Sequence, residues 1–183
     1  MNRTFLNKSL IITSILGITA LSSCEPDDVC LPEQAPFLTV EMRYPDETTL
    51  LKDTVYYKAY AYDSILIESG SFIDKSSFNL PILTTQNKTI KYVLEQGKTF
   101  SFHQINGNDT ILITRKAPKD SIYVSYNIDN QYDSKACGFG IIFKDAEFKG
   151  SNSWIKKYNV TNTTINDATT TNLIIIADRR SNQ

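Results

Sequence analysis

Apolar and polar residues alternate in short runs along most of the chain after residue 36. The clearest case is residues 121–129, in which every second residue from Ile122 to Ile128 is apolar. Successive side chains of a β-strand point to opposite faces, so this alternation predicts a strand with one buried face. Residues 54–62 repeat the pattern.

Similar runs, rich in Val, Ile, Thr, Tyr and Phe, are separated by Gly, Asn, Asp and Ser, and no stretch shows a capped apolar stripe of helical period. The pattern predicts an all-β fold with little helix and roughly eight to ten short strands. Uneven strand lengths favour two packed antiparallel sheets, an antiparallel β-sandwich, over a barrel. The candidate strands are residues 37–44, 54–62, 65–68, 78–83, 89–95, 99–105, 110–115, 121–129, 139–144, 154–160 and 173–177.

Two turn signals predict how neighbouring strands connect. Asn-Gly at residues 106–107 tolerates the positive φ of a type I′ turn, which predicts a hairpin of residues 99–105 and 110–115. Gln-Gly at residues 96–97 is expected to turn residues 89–95 back into the first strand of that hairpin. The three strands would then form a meander.

Two further expectations concern burial and order. Phe100 and Phe102 are expected to face the core from their strand. The Thr- and Asn-rich residues 159–172 are expected to form a mobile loop before the last strand.

The first 23 residues have the layout of a secretory signal peptide. Arg3 and Lys8 precede an apolar run over residues 10–20. Helical residues rise about 1.5 Å each, so this run covers roughly half of a ~30 Å bilayer core. A permanent transmembrane helix is therefore not expected.

Leu-Ser-Ser-Cys at residues 21–24 resembles the bacterial lipobox. The resemblance implies that the Cys24 thiol is lipidated, that the chain is cleaved before Cys24, and that the freed amine is acylated. An ordinary secreted protein with a cysteine at its cleavage site is the alternative. Residues 24–36 are acidic and punctuated by proline, which predicts a short tether to a single β-sandwich domain at residues 37–183.

Export would change the length and the charge of the chain. Removing 23 of the 183 residues leaves 160, which suits one domain with a proper core. The removed segment holds two basic and no acidic residues, so 17 positive and 20 negative charges remain, a net charge of −3. No basic patch is apparent along the sequence, which argues against a nucleic-acid partner.

Lipidation of Cys24 would leave Cys30 and Cys137 as the other cysteines. In an oxidising envelope these two can pair, closing a loop of about 107 residues that a chain-entropy account values at roughly 4.7 kcal/mol. We favour this disulfide because Cys30 lies in a polar, Pro-flanked tether. Two reduced, buried cysteines are the alternative.

No pattern of catalytic or metal-binding residues stands out. His103 is the only histidine, and the chain has neither a Cys pair at metal spacing nor a Gly-x-Ser-x-Gly, so we expect an ordinary solvent-facing or hydrogen-bonded side chain. The acidic pairs at residues 27–28 and 46–47 fall in the tether and a turn, and residues 106–109 and 129–133 fit turns better than calcium loops. We expect no enzyme activity, no metal and no cofactor.

Tyrosine supplies the strongest binding signal, with ten residues against one tryptophan. Tyr56, Tyr60 and Tyr62 share one face of their strand, which is the outer face if Val55 is buried. Exposed aromatic rings can stack on sugars or anchor a protein partner. Tyrosines that line a core edge with a wet hydroxyl are the alternative.

The exported region carries several weak motifs in a fixed order. These are the acidic tether with Cys30, Pro-Phe-Leu-Thr-Val at residues 36–40, Cys-Gly-Phe at 137–139, Trp-Ile at 154–155 and a terminal strand at 172–176. In this order they resemble a family of Bacteroidetes lipoproteins whose domain has no assigned function. The resemblance implies a shared fold and a Cys30–Cys137 pairing, but no activity.

Three acidic residues, Glu25, Asp27 and Asp28, directly follow Cys24. They are similar to the acidic stretch that sends Bacteroidetes lipoproteins to the cell surface, and a generic solvated tether is the alternative. We expect an outer-membrane lipoprotein on the periplasmic or cell-surface face, with the surface slightly favoured.

Four triplets of Asp, then Ser or Thr, then an aliphatic residue resemble the acceptor motif of general O-glycosylation in Bacteroidetes. Their hydroxyl residues are Thr54, Ser64, Thr110 and Ser121. Composition alone predicts about one such triplet, so four is an excess. Turn chemistry explains part of it, because Asp, Ser and Thr bond nearby backbone just before a strand begins.

Together these features predict a non-enzymatic lipoprotein, held to a membrane through an N-terminal lipid, that binds or supports an envelope protein or glycan. A carbohydrate-binding or surface-adhesion module is the alternative function.

Overall fold

The computed structural model describes residues 36–84, 89–106, 109–135 and 137–180. The predicted signal peptide, Cys24, Cys30 and nearly all of the predicted tether lie outside these ranges. Within them the chain forms strands and no helix, so no helix of the described chain is long and apolar enough to cross a membrane.

The strands are β1 (Phe37–Arg43), β2 (Asp53–Ala61), β3 (Ile65–Lys75), β4 (Ser77–Pro81), β5 (Thr89–Gln96), β6 (Phe100–Asn106), β7 (Asp109–Arg115), β8 (Lys119–Ser134), β9 (Gly138–Gly150), β10 (Ile155–Val160) and β11 (Leu173–Ala177). Each run of alternating residues in the sequence corresponds to one of them. The predicted all-β class is therefore confirmed.

The chain divides into two compact units. The larger one holds the described residues up to 131 and from 140 onward. In the smaller one, the rings of Tyr132 and Phe139 meet edge to face with centroids 5.5 Å apart. Cys137 lies half-buried in this unit, and its predicted partner Cys30 is outside the described residues, so their pairing stays a prediction.

Two sheets and a separate hairpin account for the strands. The first sheet has the order β10-β11-β1-β4, the second has the order β3-β2-β5-β8-β9, and β6 pairs with β7 alone. β1 and β11 run parallel, with Val40 opposite Leu173. The pairs β1–β4, β2–β3, β2–β5, β5–β8 and β10–β11 are antiparallel.

Buried side chains from both sheets form one hydrophobic core. Val40 of β1, Val55 of β2 and Tyr92 of β5 are each fully buried in it. The faces predicted for β2 and β8 are confirmed, because alternate residues from Val55 and from Ile122 point into this core. The arrangement is the predicted β-sandwich.

Residues 159–172 are not the free loop that we expected. Ile165 is fully buried and exchanges two backbone hydrogen bonds with Phe143. The side chain of Asn172 accepts a bond from the Thr39 N–H at 3.0 Å and donates one to the Thr164 carbonyl at 3.0 Å. Each buried polar group thus has a partner, which ties the segment to β1 and β9.

The predicted three-strand meander is wrong. β5 pairs with β2 on one side and β8 on the other, so neither of its edges is open to β6. The hairpin of β6 and β7 is confirmed, with Asn106 opposite Asp109. Phe100, expected in the core, is 39% exposed because its hairpin packs in neither sheet.

Candidate functional site

The outer face of the five-stranded sheet carries tyrosine and lysine side chains in register. On β2, Tyr56, Lys58 and Tyr60 alternate with the buried residues. Tyr60 lies opposite Lys91 of β5, and Tyr56 lies opposite Glu95. A strand's outer residues are free of core packing, so this face is available for contacts with other molecules.

A groove of about 390 Å³ lies on this face, and we call it the tyrosine groove. Its lining residues come from β2, β3, β5 and the start of β8 and are Tyr56, Tyr57, Lys58, Tyr60, Ser69, Gly70, Val93, Glu95 and Lys119. The groove therefore offers aromatic rings, hydroxyl groups and charges of both signs to a ligand.

Tyr62, the third member of the predicted stripe, does not line the tyrosine groove. β2 ends at Ala61, and Tyr62 lies in the following turn with a φ of 50°. Its side chain is 68% exposed. The turn breaks the strand alternation, so the stripe consists of Tyr56 and Tyr60 only.

Charged side chains of the tyrosine groove and of the surface beside it lie close to tyrosine rings. Lys119 forms an ion pair with Glu95 at 3.0 Å. The Lys98 ammonium lies 5.1 Å from the centre of the Tyr56 ring, and Lys91 stands in the same relation to Tyr123 of β8, at 5.4 Å. A cation over an aromatic face is attracted by the ring quadrupole.

Tyr57 and Gly70 form the boundary between this groove and the core. Tyr57 donates a hydrogen bond from its hydroxyl to Glu68 at 2.6 Å, and burial together with this bond raises the pKa of Tyr57 to about 12. Its ring crosses the opposite position on β3, where a Cβ on Gly70 would come within 2.8 Å of it. Glycine at this position therefore lets the ring lie flat across the strand pair.

A second groove, of about 460 Å³, shares Tyr56 with the first. Arg180 donates from its guanidinium to the Gln96 carbonyl at 3.1 Å and the Lys98 carbonyl at 2.7 Å, and it lies over the Phe100 ring. The residues that line the second groove are Asp53, Thr54, Tyr56, Asp74, Gly97, Lys98, Phe100, Arg179 and Arg180. The segment after β11 thus forms one wall of a groove that continues the first.

The described residues contain no group of three or more His, Cys, Asp or Glu side chains placed to hold a metal ion. His103 is exposed on β6, opposite Leu112 of β7. Asp129 forms an ion pair with Lys144 at 2.6 Å, which lowers the pKa of that carboxyl through hydrogen bonding. The two grooves offer concave surfaces on which a ligand could bind.

The four hydroxyl residues of the predicted glycosylation triplets differ in accessibility. Ser64 is exposed in the turn between β2 and β3, and Thr110 is exposed on β7. Thr54 is half-buried, and its hydroxyl accepts a bond from the Asp74 N–H at 3.4 Å. Ser121 is half-buried on β8. Their modification stays a prediction.

The sequence analysis did not identify the lysines and the carboxylate that lie beside the tyrosines on this face. Lys91 and Glu95 alternate with buried residues on β5, which is a signal that the strand pattern contained. Their position beside Tyr60 and Tyr56 depends on the order β2-β5-β8, which links residues more than thirty positions apart. No local pattern encodes that order.

No curated protein and no solved structure matched the chain. The family DUF6452, described as a family of unknown function, matches residues 52–177, which is more than half of the chain. The matched region runs from β2 to the end of β11 and so includes the residues of the tyrosine groove. The chain therefore belongs to DUF6452, a family of unknown function.

Proposed function

We propose that this protein is a non-enzymatic lipoprotein of the cell envelope that binds another envelope component through the tyrosine groove. The observation that carries the proposal is the groove itself, in which Tyr56 and Tyr60 present their rings outside the sandwich core. Large aromatic side chains placed in a surface groove are the residues that most often supply binding energy.

The core does not need these two rings. Val55, Tyr57 and Ala59, which alternate with them, form the buried side of β2. A mutation of Tyr56 or Tyr60 therefore removes surface area without opening a cavity between the sheets. Binding and stability can be measured separately at this site.

The double substitution Tyr56→Ser with Tyr60→Ser tests this proposal. We expect the midpoint of thermal unfolding to change by only a few degrees, whereas Tyr57→Ser, at a buried neighbouring position, lowers it by much more. A large loss of stability in the double variant would assign the two rings to the core and remove the basis of the proposal.

Membrane attachment through Cys24 is the second part of the proposal. Its support is the signal-like segment and the lipobox-like residues 21–24. Cys24→Ala should abolish metabolic labelling with a fatty acid and release the protein from the membrane fraction, since a lipid supplies the anchor. A labelled or membrane-retained variant would contradict this part.

The proposal also includes a location on the cell-surface face of the outer membrane and O-glycosylation of the domain. The acidic residues Glu25, Asp27 and Asp28 support the cell-surface face. Ser64 and Thr110 are the better candidates for O-glycosylation, because a bulky sugar on an exposed hydroxyl leaves the core undisturbed. The Cys30–Cys137 disulfide would close the domain onto its tether.

A carbohydrate-binding or adhesion role is the second candidate function. The observation that favours it is the composition of the tyrosine groove, which combines Ser69 and Glu95 with the rings of Tyr56 and Tyr60. Sugars present hydroxyl groups at the ring edge and C–H groups on the ring face, so polar groups beside an aromatic surface suit them.

A further inference from the structure

The part of the outer face that β2, β5 and the start of β8 form carries three lysines and one glutamate, although the chain as a whole has a net charge of −1. Three rows of opposed residues cross this face. Lys91 lies between Tyr60 and Tyr123, Lys58 is opposite both Ser69 and Val93, and Lys119 is opposite Glu95. The lysines are distant in sequence, which is why the linear charge pattern showed no basic patch.

The positive charge on this face is poorly neutralised. Glu95 is the acidic residue in the tyrosine groove, and it already pairs with Lys119. Within the described ranges, Lys58, Lys91 and Lys98 belong to no ion pair. Lys58 lines the tyrosine groove, Lys98 lines the second groove, and Lys91 lies opposite Tyr60 on the same face. Cations that lack a counter-charge on one surface raise the local potential and attract an anionic ligand.

Tyrosine rings hold two of these ammonium groups in place. Lys98 lies over Tyr56 and Lys91 lies over Tyr123. An ammonium group above a ring occupies the surface on which a sugar would stack, so Tyr56 and Tyr123 act as positioning residues for the lysines. No cation of the described chain lies over Tyr60, whose ring keeps its face for the ligand.

The second groove continues this basic surface beyond Tyr56. It adds Arg179 and Arg180 to Lys98. Its carboxylates are Asp53 and Asp74, and Asp53 is occupied by hydrogen bonds from the Gln96 side chain at 2.9 Å and the Arg180 N–H at 3.2 Å. An extended ligand lying along β2 therefore meets more basic than acidic side chains, although Glu95 and Asp74 also line its path.

We infer that the ligand of the tyrosine groove is an acidic glycan, a polymer of sugars that carry carboxylate groups. This inference rests on the proposed binding function and names its ligand class. The carboxylates of the glycan form ion pairs with Lys58, Lys91 and Lys98. Its hydroxyl groups form hydrogen bonds with Glu95 and Ser69. The apolar face of one sugar stacks on the ring of Tyr60.

The central carboxylate distinguishes a glycan from a nucleic acid. A polynucleotide carries a phosphate on every unit, and Glu95 would repel it in the middle of the groove. A carboxylated sugar polymer also presents several hydroxyl donors on each unit, which Glu95 can accept, whereas the backbone of DNA offers no free hydroxyl along its length.

Titration of the full-length protein in detergent with polygalacturonate tests the inference. The matched ligand is the fully methyl-esterified polymer, which has the same backbone and no charge. We expect the acid to bind at least tenfold more tightly than the ester, and its affinity to fall as salt is raised because exposed charges are screened.

Variants assign the effect to the groove. Lys58→Gln and Lys91→Gln should each weaken binding of the acid by about fivefold, the loss typical of one basic residue near an anionic surface. Lys157→Gln, on β10 of the other sheet, is the control and should leave it unchanged. Tyr56→Phe should retain the affinity because the ring still holds Lys98, whereas Tyr56→Ser should lower it.

Four results would overturn the inference. They are equal binding of acid and ester, no binding of either polymer, binding of oligothymidine as tight as that of the acid, and binding of phosphatidylglycerol vesicles in place of the polymer. If acid and ester bound equally well and Tyr60→Ser abolished both, the inference of an acidic ligand would be wrong. The proposed binding function of the tyrosine groove would still stand.

Discussion

Asp120, at the start of β8, is a carboxylate that is 1% exposed and forms no ion pair with any described residue. Its two oxygens accept hydrogen bonds from the Ser151 hydroxyl at 2.7 Å and from the N–H groups of Ser153, Trp154 and Ile155 at 2.7, 2.8 and 2.9 Å. Four donors can replace the water that a buried carboxylate loses. The residue thereby fixes the entry to β10.

Asp120→Asn should destabilise the protein by about 3 kcal/mol, because the amide nitrogen would face N–H groups that need an acceptor. Urea unfolding of the purified variant measures this. Asp63→Asn is the matched control, since Asp63 lies in an exposed turn at a φ of 60° that asparagine also tolerates, and its stability should stay near wild type. Equal stabilities of the two variants would contradict the role given to Asp120.

Asp167 gives a prediction for acidic pH. Hydrogen bonds from the backbone N–H groups and hydroxyls of Thr170 and Thr169 lower its pKa from 3.8 to about 2. A lowered folded-state pKa means that these bonds stabilise the fold above about pH 4 and that their contribution is lost as the pH falls towards 2. Asp167→Asn should be less stable than wild type at neutral pH, with the difference shrinking between pH 4 and 2.

Carbon-13 NMR titration of the Asp167 carboxyl, together with acid-dependent unfolding of both proteins, provides the measurement. A midpoint near 3.8, or a stability difference that stays constant down to pH 2, would show that the threonine contacts are absent in solution.

At the residue scale, alternation predicted which side chains are buried but not which polar residues anchor the fold. Val55 and Ile122 lie inside, as their patterns predicted. Asp120 and Asp53 looked like turn residues within Asp-Ser/Thr triplets, but their carboxylates bind groups 31 or more positions away. A long-range partner leaves no local signature, so these two roles could not be predicted from the sequence.

At the element scale, strand positions followed from the sequence and strand pairing did not. The Asn-Gly signal at residues 106–107 predicted the β6–β7 hairpin, because a short turn keeps the two strands it joins adjacent. Asn106 itself belongs to β6 and pairs with Asp109. The expected pairing of β5 with β6 failed because β2 and β8, which are distant in sequence, occupy both edges of β5. Competition between non-local partners decides the sheet order.

The hairpin offers a prediction at this scale. None of the buried hydrophobic residues of the described chain comes from β6 or β7. Thr99 and Ala117, which flank the hairpin, are joined by a hydrogen bond of 3.0 Å, so a short linker can replace the strands between them. Exchanging residues 100–115 for Gly-Gly should leave a cooperatively folded sandwich with nearly the same unfolding midpoint.

Circular dichroism and thermal unfolding of the hairpin deletion measure this effect. Leu173→Ala, which truncates a fully buried side chain of β11, is the comparison and should lose about 2–5 kcal/mol of stability. If the deletion destabilised the protein more than Leu173→Ala, the hairpin would be part of the core structure after all.

At the scale of the whole molecule, the sandwich separates two tasks. Its interior is one continuous apolar core with hydrogen-bonded aromatic residues, such as Tyr126, whose hydroxyl donates to the Leu83 carbonyl at 2.9 Å. Its outer five-stranded face carries the tyrosine groove, whose tyrosines were predicted from β2 and whose lysines became visible only in the folded sheet. The proposed binding function thus belongs to an outer face whose tyrosines, Tyr56 and Tyr60, do not pack in the core.

The most direct test of that claim places a photo-cross-linking amino acid at position 60 in the native host. The matched control places it at position 157, on β10 of the other sheet. We predict a light-dependent adduct with an envelope component from position 60 and none from position 157. No adduct at position 60, or the same adduct from both positions, would contradict the assignment of the tyrosine groove as the binding surface.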